Sequence, residues 1–205
     1  MIKPFKKLHT DIKEVLETLE IDTPTNFQSV TIPVIKSGSN IICTGKKGSG
    51  KTTTLILTTL QKLKCEAYGN APRALVVVEN RDCALALYDA FITYTRRTSL
   101  RVYACDEKLH VDVLKSEIFE GVDIIISTPN TMSKLLFAEG INTTQLKIFN
   151  IDDAAFLIPK TSDTALMSIT QGINKCQFII YLEQMDPKIK RFESIFMKHY
   201  KLISA

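Results

Sequence analysis

No CxxC pair occurs among the five cysteines, Cys43, Cys65, Cys83, Cys105 and Cys176, and their number is odd. This removes zinc-ribbon spacing from consideration and argues against a disulfide framework, so buried thiols in a reducing compartment are expected. The three histidines, His9, His110 and His199, lie far apart without an HExxH-type pair. No apolar run approaches the roughly 18 residues of a membrane span, and the lysines near the N-terminus have no apolar stretch behind them. The chain is therefore expected to be soluble and cytoplasmic, without a membrane partner. Neither sign of charge dominates: 26 Lys and Arg stand against 22 Asp and Glu, and the net +4 admits an anionic partner without identifying one. Internal repeats, low-complexity tracts and long linkers are also missing.

What the sequence does have is apolar runs in regular alternation with helical periods. With 205 residues, 45% of them hydrophobic, the chain can bury one sizeable core, and a single domain is expected. Strands are predicted at Asn40–Thr44, Ala74–Glu79, Arg101–Cys105, Asp123–Thr128, Lys147–Asp152 and Gln177–Leu182. Several are apolar at consecutive positions, as strands covered on both faces tend to be. Helices are predicted at Thr52–Lys64, Arg81–Thr95, Val111–Phe119, Pro129–Ala138, Thr164–Ile173 and Pro187–His199. Ahead of the first strand, a helix over His9–Leu19 is followed by a break at IDTPT and a second helix from about Asn26. Alternation of this kind means βαβ units, an α/β fold with a mostly parallel sheet, and ligands at the C-terminal ends of the strands.

Directly after the first strand comes GKKGSGKT: Gly45, Lys46, Lys47, Gly48, Ser49, Gly50, Lys51 and Thr52, with Thr53 next. It fits G-x-x-x-x-G-K-[ST], with a strand before it and a helix after it. The three glycines permit a tight turn that aims N–H groups into one concavity, and the helix N-terminus adds positive potential. Lys51 can reach β and γ phosphates, and the Thr52 hydroxyl can ligate Mg²⁺. Such a metal needs a carboxylate from a neighbouring strand. Asp152, ending KIFNI, is the candidate, holding Mg²⁺ mainly through water.

Further stretches resemble the DEAD-box RNA helicases. IDTPTNFQ, Ile21–Gln28, looks like that family's Q motif, with Phe5 at the expected upstream place. The amide of Gln28 can donate and accept at once, which suits the N6 and N7 edge of adenine, and Phe5 offers a ring for stacking. VVENRDCALAL matches the P-T-R-E-L-A motif at Arg81 and Ala84; Glu79 and Asn80 depart from it, and Asp82 replaces its acid. IISTPNTM matches T-P-G-R at Thr128 and Pro129, with Asn130 and Thr131 replacing Gly and Arg. A Thr cap followed by Pro at the first helical position leaves free N–H groups for a nucleic-acid phosphate. IDDAAFL stands at the D-E-A-D signature: Asp152 and Ala154 agree, Asp153 replaces Glu and Ala155 replaces Asp. At the place of the S-A-T motif the chain has Leu182, Glu183 and Gln184.

The resemblance implies a RecA-like P-loop domain over residues 1–205, with a Q-motif region at 1–36 and a P-loop core at 37–205. It implies ATP and Mg²⁺ as cofactors, with Lys51, Asp152 and Asp153 as catalytic residues. Phe5, Gln28 and residues 45–53 would hold the nucleotide, and Thr52 and Asp152 the metal. Arg81, Thr128, Pro129 and Asn130 would contact single-stranded or structured RNA. The family works with a second RecA-like domain, absent from this chain and supplied in cis or trans. Asp153 is one methylene shorter than Glu, so weak hydrolysis is expected. A nucleotide-dependent RNA-binding adaptor without turnover is the alternative reading. A kinase or transport ATPase is a third, disfavoured by Phe5 and Gln28.

Overall fold

The apolar strands alternate in where they send their side chains, even where every residue is hydrophobic. In the computed structural model, which describes residues 2–173 and 175–205, Ile41, Cys43, Ala74 and Val76 enter one core cluster while Ile42, Leu75 and Val77 enter the other. This is the period of two of a pleated strand buried on both faces.

The sheet has seven strands: β1 Ile41–Thr44, β2 Ala74–Val77, β3 Val102–Ala104, β4 Ile124–Ser127, β5 Ile148–Ile151, β6 Gln177–Leu182 and β7 Lys201–Ser204. Their order is β3-β4-β2-β5-β6-β1-β7, and all neighbours are parallel. Helices α1 Thr10–Thr18, α2 Asn26–Lys36, α3 Lys51–Leu63 and α4 Arg81–Thr95 supply the first core cluster. Helices α5 Val111–Phe119, α6 Pro129–Phe137 and α7 Asp163–Gln171 supply the second.

Two expectations need correction. The segment predicted as a helix over Pro187–His199 is a 3₁₀ helix, Pro187–Ser194. Its apolar positions Ile189, Phe192 and Ile195 recur every three residues, the period of the tighter helix. Arg191 fastens it by reaching the Leu157 carbonyl and the Asp163 carboxylate, with its guanidinium over the Phe192 ring. No strand was expected beyond Leu182, yet Lys201–Ser204 form β7 against β1.

At the opposite end of the sheet from the glycine loop, Asp123 carries no exposed surface and accepts hydrogen bonds from Arg73, Arg101 and the Tyr68 N–H. Burial works to raise its pKa, yet the bonds from Arg101, Arg73 and Tyr68 hold it below the ordinary carboxylate range. Among the described residues, no helix is long and apolar enough to cross a membrane.

Candidate functional site

Strand β1 delivers the chain into the loop at residues 45–50, and α3 leaves it at Lys51. The Gly45 N–H donates to the Leu182 carbonyl at the end of β6 (3.0 Å), which fixes where the loop begins. Gly48 and Gly50 adopt φ of +79° and +96°, the left-handed region that side chains avoid. Space around a Cβ at Gly48 is open, whereas one at Gly45 would lie 2.6 Å from the Phe27 ring and one at Gly50 2.7 Å from the Gln28 amide nitrogen. The loop is therefore pressed onto the first turn of α2 and open on its other side.

That first turn is built by a capping box. Thr25 Oγ1 accepts from the Gln28 N–H while Gln28 Oε1 accepts from the Thr25 N–H (3.2 and 2.9 Å). The same Thr25 hydroxyl donates to the Ser49 carbonyl at 2.7 Å, joining α2 to the loop. Gln28 is buried and its oxygen already engaged by the cap. Phe5 lies wholly within the first core cluster together with Leu8 and Phe27. Its ring is covered by protein in this structure, so the stacking face expected from the sequence is not presented.

Lys51 Nζ donates back to the carbonyls of Gly45 and Lys46, at 2.6 and 3.1 Å. Thr52 is exposed, and the Ser49 hydroxyl is buried without a partner. Asp152 follows β5, two strands from β1 across β6, and its N–H donates to the Val77 carbonyl (2.9 Å). Burial, and then the neighbouring Asp153 charge, push its pKa up to about 6 despite the opposing effect of Lys51. Asp152 is half-buried, and the second carboxylate beside it leaves the pair with more negative charge than Lys51 alone offsets. The donor set of Thr52, Asp152 and loop N–H groups fits a magnesium–triphosphate. Asp153 is exposed in the left-handed conformation (φ 45°) and heads a short 3₁₀ helix, Ala154–Leu157.

The other candidate residues lie at the C-terminal ends of β2 and β4. Thr128 caps α6, its hydroxyl accepting from the Thr131 N–H, with Pro129 at the first helical position and Asn130 exposed. Arg81, opening α4, is held by Asp106: Nε to Oδ1 and Nη2 to Oδ2, each 2.6 Å. Asp106 and Glu107 were not among the residues singled out from sequence. Their place directly after β3, at the ligand end of a parallel sheet, was the signal available.

A seven-stranded parallel sheet with a glycine loop after β1 and an acid after β5 defines a RecA-like P-loop fold. A sequence model of the DEAD/DEAH box helicases matches residues 25–182, and the chain belongs to that family. It is 27% identical over 198 residues to the pre-mRNA-processing ATP-dependent RNA helicase PRP5 of Chaetomium globosum, covering 91% of this chain and 19% of that protein. It is 30% identical over 145 residues to the protein of the same name from Candida albicans, covering 68% and 16%. The chain thus spans about a fifth or less of the length of these curated relatives. Among solved structures, a DEAD box protein from the hyperthermophile Methanococcus jannaschii superposes with a TM-score of 0.87 at 18% identity, covering 97% of this chain and 54% of that one.

Proposed function

We propose that the chain is the N-terminal, nucleotide-binding domain of a divergent DEAD-box RNA helicase, which binds Mg-ATP and forms one side of a groove for single-stranded RNA. The observation that carries this reading is the convergence of an open glycine loop, Lys51 and the half-buried Asp152 at one end of the sheet. Bound magnesium would supply charge neutralisation of the β and γ phosphates. Thr52 and Asp152 would hold it, and Lys51 would exchange its two carbonyl partners for phosphate oxygens. Gln28 would read adenine through its free amide hydrogens and the remaining lone pair of Oε1. The covered ring of Phe5 leaves base recognition to Gln28 in this conformation.

Hydrolysis by this domain alone is weak in this reading. Asp153 is short for holding an attacking water, and Ala155 with Leu182, Glu183 and Gln184 replaces the groups that link the two sites in the family. A second RecA-like domain, in cis or trans, would complete both sites. The relatives' names, pre-mRNA-processing helicases, direct the search for an RNA substrate toward precursor transcripts. They also weigh against the cytoplasmic placement expected from composition.

Calorimetric titration with ATP and GTP in Mg²⁺ tests the site. Adenine preference is expected, with binding abolished in Lys51→Ala; equal affinity for GTP would overturn the Gln28 role, and no heat from either would overturn the site. Asp153→Glu should raise steady-state hydrolysis by about tenfold or more if only reach has been lost. No gain would favour the adaptor reading.

A further inference from the structure

The turn after β3 carries the sequence Asp106, Glu107, Lys108, and both carboxylates fall on residues assigned above to RNA. Asp106 takes the Arg81 guanidinium in the two-bonded, side-on geometry that Arg otherwise offers a phosphate. This pair holds the Asp106 pKa at about 2, chiefly through the Arg81 hydrogen bonds. Glu107 Oε2 stands 3.5 Å from Thr128 Oγ1, at the N-terminus of the nine-residue helix α6, where an anion is favoured. A third acid, Asp82, is 3.8 Å from Arg81 but almost fully exposed.

The turn is braced in this position. Buried Cys105 donates its N–H to the Ile126 carbonyl (2.9 Å), anchoring the turn to β4. Within the turn, the Lys108 N–H donates to Asp106 Oδ1 and the Leu109 N–H to the Asp106 carbonyl, each 3.0 Å. Asp106 is therefore oriented from its own backbone while it grips Arg81. One carboxylate of this turn thus occupies Arg81 at α4, and a second, exposed one stands near the N-terminus of α6.

We propose that Asp106 and Glu107 are built-in competitors for RNA phosphate, so that RNA gains Arg81 and the start of α6 by displacing the carboxylates of this turn. The inference rests on the RNA-groove reading above and adds to it the groups that set its affinity. RNA entry then costs the chain its own Arg81 pair, and single-strand binding by the unmodified chain is weak and strongly salt-dependent.

The test is fluorescence anisotropy of a labelled oligouridylate with the 205-residue chain, in Mg²⁺ with a non-hydrolysable ATP analogue. Its variants are Asp106→Asn, Glu107→Gln, the two together, and Asp106→Asn with Arg81→Ala. Asp112→Asn, an exposed acid on α5 outside both contacts, controls for net charge. All the altered acids are on or near the surface, and melting curves establish that each variant is folded. The double variant is expected to bind about tenfold tighter, and Asp106→Asn alone about fivefold. The Arg81→Ala change should cancel the Asp106→Asn gain, and Asp112→Asn should change affinity less than about twofold. Unchanged affinity in the double variant would overturn the competitor role while leaving the RNA groove standing. An equal gain from Asp112→Asn would overturn it as a mere charge effect. No binding by any form would overturn both this inference and the RNA-groove reading.

Discussion

Single residues at the glycine loop are constrained by what presses on them. Phe27 is buried, so a methyl at Gly45 has nowhere to go, and Gly45→Ala should cost about 1–3 kcal/mol, read from denaturant unfolding. Asp152 shows the opposite situation, a residue placed at some cost to stability. Its pKa is raised above the ordinary value of 3.8, so the nucleotide-free fold is favoured when the acid is protonated and loses stability as pH rises from 3.8 through about 6. Asp152→Asn should therefore raise the Tm of the nucleotide-free chain at pH 7 by about 2–4 °C and leave it unchanged at pH 4. Thermal melts at the two pH values check this. The sequence marked Asp152 correctly as the acid at the end of an apolar strand. It was silent on Phe5 burial and the Asp106 grip on Arg81, since both depend on which side chains distant segments bring together.

At the scale of elements, strands β1 to β6 were legible because short, mostly apolar runs of three to six residues, bounded by turns, have few other uses. Strand β7 was not. Its four residues, KLIS, are half polar and mostly exposed, and only the neighbouring β1 makes them a strand. The 3₁₀ helix Pro187–Ser194 was misread because a period of three and one of 3.6 differ little over eight residues. Holding the far end of these elements together is Asp123, a single carboxylate serving two arginines. Asp123→Asn leaves both guanidinium groups underpaired and should cost about 3–5 kcal/mol, seen as a large fall in the urea midpoint. Acid should reproduce part of that loss: with the pKa held low, the stabilisation is present above the ordinary carboxylate range and fades as pH falls below it.

For the whole molecule, one end of the sheet carries the glycine loop, Asp152, Arg81 and Thr128, and the order of strands separates them into two neighbourhoods. The loop after β1 and the acid after β5 form one; the ends of β2, β3 and β4 form the other. In the proposed reading, turnover that depends on RNA must pass between them, and they meet at the β2–β5 pair, where the Asp152 N–H is bound to the Val77 carbonyl. Supplying the second RecA-like domain of a relative in trans should raise RNA-dependent ATP hydrolysis well above that of the chain alone, in a phosphate-release assay. A rate unaffected by the added domain would favour the adaptor reading.

The Thr25 hydroxyl, which touches both its own helix cap and the Ser49 carbonyl, ties the first turn of α2 to the glycine loop, the proposed base and phosphate ends of the site, as one mechanical piece. A ligand that tugs on the cap will be felt in the loop before any phosphate arrives. Adenosine alone, too short to reach Lys51, should on that account slow amide deuterium uptake at Ser49 and Gly50, and Thr25→Val should silence the signal.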